Sequence, residues 1–122
     1  WGGICNFKSY NDTYGHLAGD VMLQKAAEII KSCIRVTDIP CRYGGEEFVI
    51  ILPGTDNKNA LRIAQRILNS LGNYPFPHRR ITASIGVATS RADDSIDSFL
   101  RRSDEACYTA KKLGKNRIYN GM

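Results

Sequence analysis

Two adjacent glycines, followed by two glutamates and an apolar run, constrain this chain more than any other segment does. Gly44 and Gly45 permit a tight reversal, because glycine accepts positive φ without steric cost. Residues 48–52 are aromatic, β-branched or aliphatic, which indicates a buried strand. The segment therefore predicts a hairpin with Glu46 and Glu47 at its tip, where metal or phosphate chemistry could use them. Taken alone, it is equally typical of a hairpin whose glutamates are solvated.

Length and composition indicate one globular domain. The chain has 122 residues, of which 43% are hydrophobic and 24% are charged. No apolar run approaches the roughly 20 residues that span a bilayer, and no signal-peptide pattern occurs. The formal net charge of +5 suits an anionic ligand, although it also permits weak binding to nucleic acid.

The cysteines are predicted to be reduced and mostly buried. None belongs to a Cys-x-x-Cys pair, and zinc-type spacing is absent. A cytosolic protein would keep such thiols reduced. They are Cys5, Cys33, Cys41 and Cys107.

Hydrophobic periodicity predicts helices between strands, and hence an α/β or α+β sheet covered by helices. Residues 1–5 could end a strand, and residues 6–10 could form a helical turn. Helical spacing of apolar residues occurs over 23–34, 60–71 and 96–113. Strands are expected from Pro40 onward and over 48–52, 81–89 and 117–119.

Several polar side chains have both a functional and a structural interpretation. Asn11 and Asp20 could read the hydrogen-bonding edge of guanine, or they could shape a turn and favour a helix N-terminus. Lys111 and Lys115 are four residues apart, so they could share a helix face and neutralise a triphosphate. They could equally complement the dipole at the end of that helix.

Two arginines have a similar ambiguity. Arg35 could clamp a phosphate or a guanine edge through two parallel hydrogen bonds. Arg66, on the next helix, could converge with it. Each arginine alone is more often a surface charge.

Taken together, these segments closely resemble the GGDEF family of diguanylate cyclases. The resemblance covers nearly the whole chain, in order and at the family's spacing. It rests on residues 6–16, Gly19 with Asp20, and residues 42–48, 83–88 and 102–116.

The resemblance implies an α+β fold with a central, mainly antiparallel sheet flanked by helices, similar to adenylyl cyclase and polymerase palm domains. Residues 1–122 would form a single GGDEF domain, truncated at its N-terminus because the family's first strand and preceding helix should lie before Gly3. Such domains condense two GTP molecules into cyclic di-GMP, work as homodimers, and need Mg²⁺ or Mn²⁺. We also expect an upstream sensor domain in the parent protein and no nucleic-acid partner. The expected location is the cytoplasm, in a parent protein that could be membrane-anchored.

The resemblance also assigns roles at the catalytic centre. Glu46 would hold the metal together with the backbone carbonyl of Ile4. Glu47 would lie beside the phosphates or the metal. Gly44 and Gly45 would let the backbone approach GTP.

The remaining roles concern the substrate and the product. Asn11 and Asp20 would recognise guanine. Cyclic di-GMP would bind to an RxxD inhibitory site formed by Arg35 and Asp38, with Arg66 contributing. The phosphates would be contacted by the backbone amides of Asn6, Phe7 and Lys8 and by the side chains of Lys111 and Lys115.

One departure from the family pattern concerns the metal. The family has Asp-x-Asp where this chain has Gly3, Ile4 and Cys5. Glycine supplies no carboxylate, and a thiol is a poor ligand for Mg²⁺. The resemblance therefore implies impaired turnover.

Alternatives stay open. The chain could be a naturally degenerate receptor for cyclic di-GMP or GTP, or cloning or sequencing could have altered its first residues. A nucleic-acid-binding scaffold is a further alternative, although the sequence has no basic stripe with interleaved aromatic residues.

Overall fold

A computed structural model of the protein describes residues 2–11, 20–42, 47–76 and 81–122. Within these ranges the chain forms five strands and three helices. The strands are β1 (Gly2–Asn11), β2 (Ile39–Arg42), β3 (Glu47–Pro53), β4 (Ile81–Thr89) and β5 (Arg117–Asn120). The helices are α1 (Asp20–Cys33), α2 (Asn57–Asn73) and α3 (Ile96–Lys112).

The strands form one sheet in the order β2-β3-β1-β4-β5. The β2–β3, β1–β3 and β1–β4 pairs are antiparallel, and the β4–β5 pair is parallel. The parallel pair is joined through α3, as parallel neighbours require a crossover. The predicted α+β class, with a mainly antiparallel sheet flanked by helices, is confirmed.

The central place in the sheet is taken by β1. Ile4, for example, lies opposite Ile51 of β3 on one side and Ala88 of β4 on the other. The predicted helical turn over residues 6–10 is therefore wrong, since these residues extend β1. A segment between two strands satisfies its backbone N–H and C=O groups on both edges, and this pairing outweighs a local turn preference.

Alternation along the strands divides the core between the two faces of the sheet. One face packs against α1 and α2. The buried cluster between them includes Cys5 and Ile50 of the sheet and Ile67 of α2. The other face packs against α3 through a smaller cluster that includes Ile4 and Phe99. The amphipathic patterns read from the sequence thus bury each helix against the sheet.

Side-chain caps explain where two helices begin. The carboxylate of Asp56 accepts a hydrogen bond from the Asn59 backbone N–H at 2.8 Å, which caps α2. At the start of α3, the Ser95 and Ser98 side chains each accept the other residue's backbone N–H, at 3.1 and 3.0 Å. Gly114, with φ of 126°, follows the end of α3.

All four cysteines are free thiols, as predicted. Three are buried, and Cys41 on the edge strand β2 is exposed. None of the three described helices is long and apolar enough to cross a membrane.

Gly86 of β4 allows α3 to approach the sheet closely. A Cβ atom at Gly86 would lie 2.1 Å from the backbone N of Cys107 and 2.5 Å from the backbone O of Ser103. Gly72 of α2 is different, because a Cβ atom there meets nothing within 4 Å.

We therefore expect Gly86→Ala to lower the free energy of unfolding by about 1–3 kcal/mol, since α3 must move away from β4. Gly72→Ala, in the last turn of α2, is the matched control and should raise it by about 0.5–1 kcal/mol, because alanine restricts the unfolded chain more than glycine does. Urea denaturation followed by circular dichroism measures both. Equal stability of wild type and Gly86→Ala would contradict the close approach of α3.

Candidate functional site

The predicted hairpin is present, and the Gly-Gly-Glu-Glu segment runs from the connection between its strands into the first residue of β3. Arg42 at the end of β2 lies opposite Phe48 of β3, so residues 43–46 join two paired antiparallel strands. Glu47 is the first residue of β3, is half-buried, and lies opposite Lys8 of β1. Gly44, Gly45 and Glu46 lie outside the described residues, and their catalytic roles stay predictions.

The two residues expected to read guanine belong to the ends of neighbouring elements. Asn11 is the last residue of β1, and Asp20 is the first residue of α1. Their side chains lie outside the described part of the chain. Guanine recognition by this pair therefore stays a prediction.

The segment expected to cradle phosphates lies within β1. Asn6 pairs with Val49 and Gly86, while Phe7 and Lys8 pair with the residues that precede these two in β3 and β4. Paired on both sides, this segment lies in the sheet ladder, which differs from the phosphate cradle that the resemblance implies. The Asn6 side chain is 4% exposed, and its Oδ1 has no hydrogen-bond partner among the described residues.

The two lysines at the end of α3 do not share a helix face, so that prediction is wrong. Lys111 lies in the last turn of α3, which ends at Lys112. Lys115 follows Gly114 and has φ of 62°, outside the helix. Its backbone N–H donates to the Ala110 carbonyl at 3.1 Å, which closes the helix end.

The described residues at the start of β1 do not fit a Mg²⁺ ion. A Cβ atom at Gly3 would lie 3.0 Å from the Ala60 Cβ of α2, so this position faces the core. Cys5 faces the same layer and is fully buried. Burial, and to a smaller extent the charge of Asp38, raises the pKa of the Cys5 thiol to about 12, so it stays protonated.

The third candidate at this strand is the Ile4 carbonyl. Ile4 pairs with both neighbouring strands, so its backbone belongs to the sheet ladder. Among the described ranges, no group of three or more histidine, cysteine, aspartate or glutamate side chains could hold a metal.

The Arg35–Asp38 pair, by contrast, has a defined geometry just beyond the end of α1. Arg35 donates through Nε to both carboxylate oxygens of Asp38 at 3.2 Å and through Nη2 to Oδ1 at 2.7 Å. The Arg35 backbone N–H donates to Oδ2 at 2.8 Å. The side chain of Asp38 is fully buried, whereas that of Arg35 is half-exposed. The buried Asp38 carboxylate thus holds the Arg35 guanidinium in place at the surface.

The charged state of Asp38 is stabilised by this pairing. Burial raises the pKa of the Asp38 carboxyl, but hydrogen bonds from the side chain and backbone of Arg35 lower it more. The net result is a pKa below the usual value for aspartate.

Arg35 and Arg66 line the same pocket, which has a volume of about 270 Å³. Arg66 donates through Nη1 to the Cys33 carbonyl at the end of α1, at 2.9 Å. Arg62 lies one turn before Arg66 on α2 and lines the pocket as well. Three guanidinium groups around one cavity make it suitable for a ligand with several negative charges.

Sequence reasoning missed part of this pocket. Arg62 and Arg66 are four residues apart on an amphipathic helix, so their shared face was a usable signal. Thr55 and Asn59 also line the cavity, but nothing in the sequence indicates that they meet Arg35 there.

A wider groove, of about 460 Å³, lies between β1, β3 and α3. Its lining is almost entirely apolar and includes Ile4, Ile51, Phe99 and Leu100. A charged nucleotide needs convergent polar groups, so this groove is a poorer candidate than the arginine pocket.

Replacing Asp38 should change stability in a pH-dependent way. Because the folded-state pKa is lowered, the ionised carboxylate contributes stability above its unfolded-state pKa of about 3.9. That contribution is lost as the pH falls through the folded-state pKa. We therefore expect Asp38→Asn to lower the urea midpoint of unfolding at pH 7. The difference in midpoint between this variant and wild type should shrink as the pH falls towards about 3. The exposed Asp93 is the control position, and a gap for Asp38→Asn that stays constant with pH would contradict the pairing.

Comparisons with known proteins agree with this fold. Residues 3–117 match the family model described as "Diguanylate cyclase, GGDEF domain". Diguanylate cyclase A of Treponema denticola is 44% identical over 117 residues, covering 92% of this chain and 32% of the relative. The response regulator PleD of Caulobacter vibrioides is 46% identical over 119 residues, covering 92% of this chain and 26% of the relative. The chain thus spans a quarter to a third of the length of these curated relatives.

Solved structures show the same architecture. The active GGEEF domain of a diguanylate cyclase from Vibrio cholerae superimposes with a TM-score of 0.83 at 30% identity, covering 98% of this chain and 83% of that one. The GGDEF domain of DgcB from Caulobacter crescentus, in complex with c-di-GMP, gives 0.83 at 26% identity, covering 98% and 78%. With matches in both sequence and fold, the chain belongs to the family of diguanylate cyclase GGDEF domains.

Proposed function

We propose that this chain is the catalytic domain of a diguanylate cyclase, which condenses two GTP molecules into cyclic di-GMP. The observation that carries the proposal is the family match over residues 3–117, which includes Gly-Gly-Glu-Glu-Phe at 44–48. The solved relative from Vibrio cholerae is an active GGEEF domain. The same five-residue motif in this chain therefore supports the proposal that the domain is catalytically active.

The reaction needs two copies of the domain. The 3′-hydroxyl of each GTP attacks the α-phosphate of the other, and each attack releases one pyrophosphate. If each domain holds one GTP, two domains must face each other, and dimerisation supplies the proximity that the reaction needs. The rate per chain should therefore rise with chain concentration.

The substrate residues have roles in binding and orientation. Asp20 and Asn11 would pair with the guanine edge, the acid accepting from its N–H donors. Lys111 and Lys115 would neutralise the phosphates from either side of the helix end. Glu46 would hold the divalent metal, and Glu47 would lie beside the phosphates or the metal.

The start of β1 lacks the carboxylates that a divalent metal would need. The resemblance implies Mg²⁺ or Mn²⁺, but Gly3 and Cys5 provide no carboxylate, and both face the core. We therefore expect this chain to turn over slowly.

The arginine pocket would be the inhibitory site for the product. Arg35, held by Asp38, and Arg66 would contact the phosphates of cyclic di-GMP, which carries two negative charges. The converging guanidinium groups support this, as does the c-di-GMP complex of the solved relative DgcB. Product binding would then limit synthesis.

The context of the domain is also part of the proposal. The curated relatives are three to four times longer than the matched segment, which leaves room for a sensor domain that controls dimerisation. We place the domain in the cytoplasm, where GTP is present.

A second candidate is a receptor that binds cyclic di-GMP without making it. The specific observation in its favour is that the arginine pocket is formed while the carboxylate expected at Gly3 is absent. Enzyme and receptor differ in whether GTP is converted, and the following experiment separates them.

Incubation of the chain with GTP and Mg²⁺ should yield cyclic di-GMP, measured by liquid chromatography. Glu46→Gln should lower the rate by about 100-fold or more, because Glu46 would hold the divalent metal ion beside the reacting phosphates and an uncharged amide would hold it more weakly. Glu28→Gln is the control, since Glu28 lies on the exposed face of α1. An unchanged rate for Glu46→Gln would remove Glu46 from the mechanism, and no product from any form would favour the receptor.

Calorimetric titration with cyclic di-GMP tests the inhibitory site separately. Arg35→Ala should weaken binding by about 10- to 100-fold, because it removes hydrogen bonds between charged groups. Arg101→Ala, an exposed arginine of α3 outside the pocket, should bind like wild type. Equal affinity of Arg35→Ala and wild type would exclude Arg35 from the site.

A further inference from the structure

Thr55 makes a contact with Arg35 that the RxxD pattern does not include. The Nη2 atom of Arg35 lies 2.5 Å from the Thr55 hydroxyl oxygen and 3.0 Å from the Pro53 carbonyl oxygen. The Thr55 hydroxyl lies 3.3 Å from the same carbonyl, to which it can donate. Thr55 is only 5% exposed, so this hydroxyl is held in a buried setting.

These contacts fix one edge of the guanidinium group. Within residues 2–11, 20–42, 47–76 and 81–122, every side-chain hydrogen bond of Arg35 uses Nε or Nη2. Asp38 accepts hydrogen bonds from Nε and Nη2. Thr55 and Pro53 accept hydrogen bonds from Nη2 as well. The remaining nitrogen, Nη1, makes no hydrogen bond to these described residues, and Arg35 lines the pocket.

We propose that Thr55 is a positioning residue for ligand binding in the arginine pocket. The proposal rests on the inhibitory site proposed above, with cyclic di-GMP as the ligand. Thr55 lines the pocket beside Arg35, and its hydroxyl holds Nη2. A guanidinium fixed in the plane of Asp38 and Thr55 loses little freedom when a phosphate binds to Nη1, and such preorganisation raises affinity.

The chemistry of Thr55 explains why a hydroxyl suits this position. Nη2 has two hydrogens and three nearby oxygens, from Asp38, Pro53 and Thr55. A hydroxyl can accept from Nη2 while donating to the Pro53 carbonyl, so it links the guanidinium to the backbone after β3. Valine has the same shape and cannot do either.

Two substitutions in the 122-residue chain test the proposal. Thr55→Val removes the hydroxyl, and Thr55→Ser keeps it. Calorimetric titration with cyclic di-GMP should show affinity about 3- to 10-fold weaker for Thr55→Val and within about 2-fold of wild type for Thr55→Ser. Urea denaturation of both variants reports whether the fold is retained.

A double-substitution cycle with Arg35→Ala separates positioning from a general structural effect. If Thr55 acts through Arg35, Thr55→Val should cause no further loss of affinity once Arg35 is alanine. An equal loss in both backgrounds, or wild-type affinity for Thr55→Val, would overturn the role of Thr55 and leave the inhibitory site intact. A wild-type chain that does not bind cyclic di-GMP would instead overturn the inhibitory site, and this role with it.

Discussion

The pairing of β1 on both edges is the constraint on which the rest of this structure depends. With β3 on one side and β4 on the other, β1 fixes the register of the whole sheet. Because side chains alternate between faces, that register decides the environment of every residue near the N-terminus. Gly3 and Cys5 face the α1–α2 layer, and Ile4 faces α3. The positions where the family has aspartates are thus core positions here.

The Arg35 network has a comparable place at the open end of the β2–β3 hairpin. Asp38 immediately precedes β2, and Pro53 is the last residue of β3. By binding both, Arg35 joins the two ends of the hairpin opposite the Gly-Gly-Glu-Glu turn. The half-exposed guanidinium contributes little as a surface charge, and its importance comes from the buried carboxylate that it satisfies.

The sequence was sufficient for most of the elements, because periodic burial is a local signal. The apolar spacing over 60–71 predicts α2, and the alternation over 81–89 predicts β4. The strand over residues 6–10 could not be predicted in this way, since it depends on partners distant in the chain. The prediction that Lys115 shares a helix face with Lys111 is wrong because α3 ends at Lys112. Gly114 then has a positive φ, which does not continue the helix. The contact of Thr55 with Arg35 joins two loops and leaves no trace in the spacing of residues.

Under the proposed function, binding of the product and turnover depend on different parts of this chain, the arginine pocket and the Gly-Gly-Glu-Glu hairpin. Binding an anionic dinucleotide needs converging guanidinium groups in fixed positions, and Arg35, Arg62 and Arg66 provide them around one cavity. Turnover would need stabilisation of charge that develops only in the transition state, so a missing metal carboxylate would lower the rate without weakening a separate product site. If the arginine pocket is the product site proposed above, a chain with Gly3 in place of that carboxylate should bind cyclic di-GMP as tightly as a chain that has the carboxylate, because the pocket and β1 are separate parts of the fold.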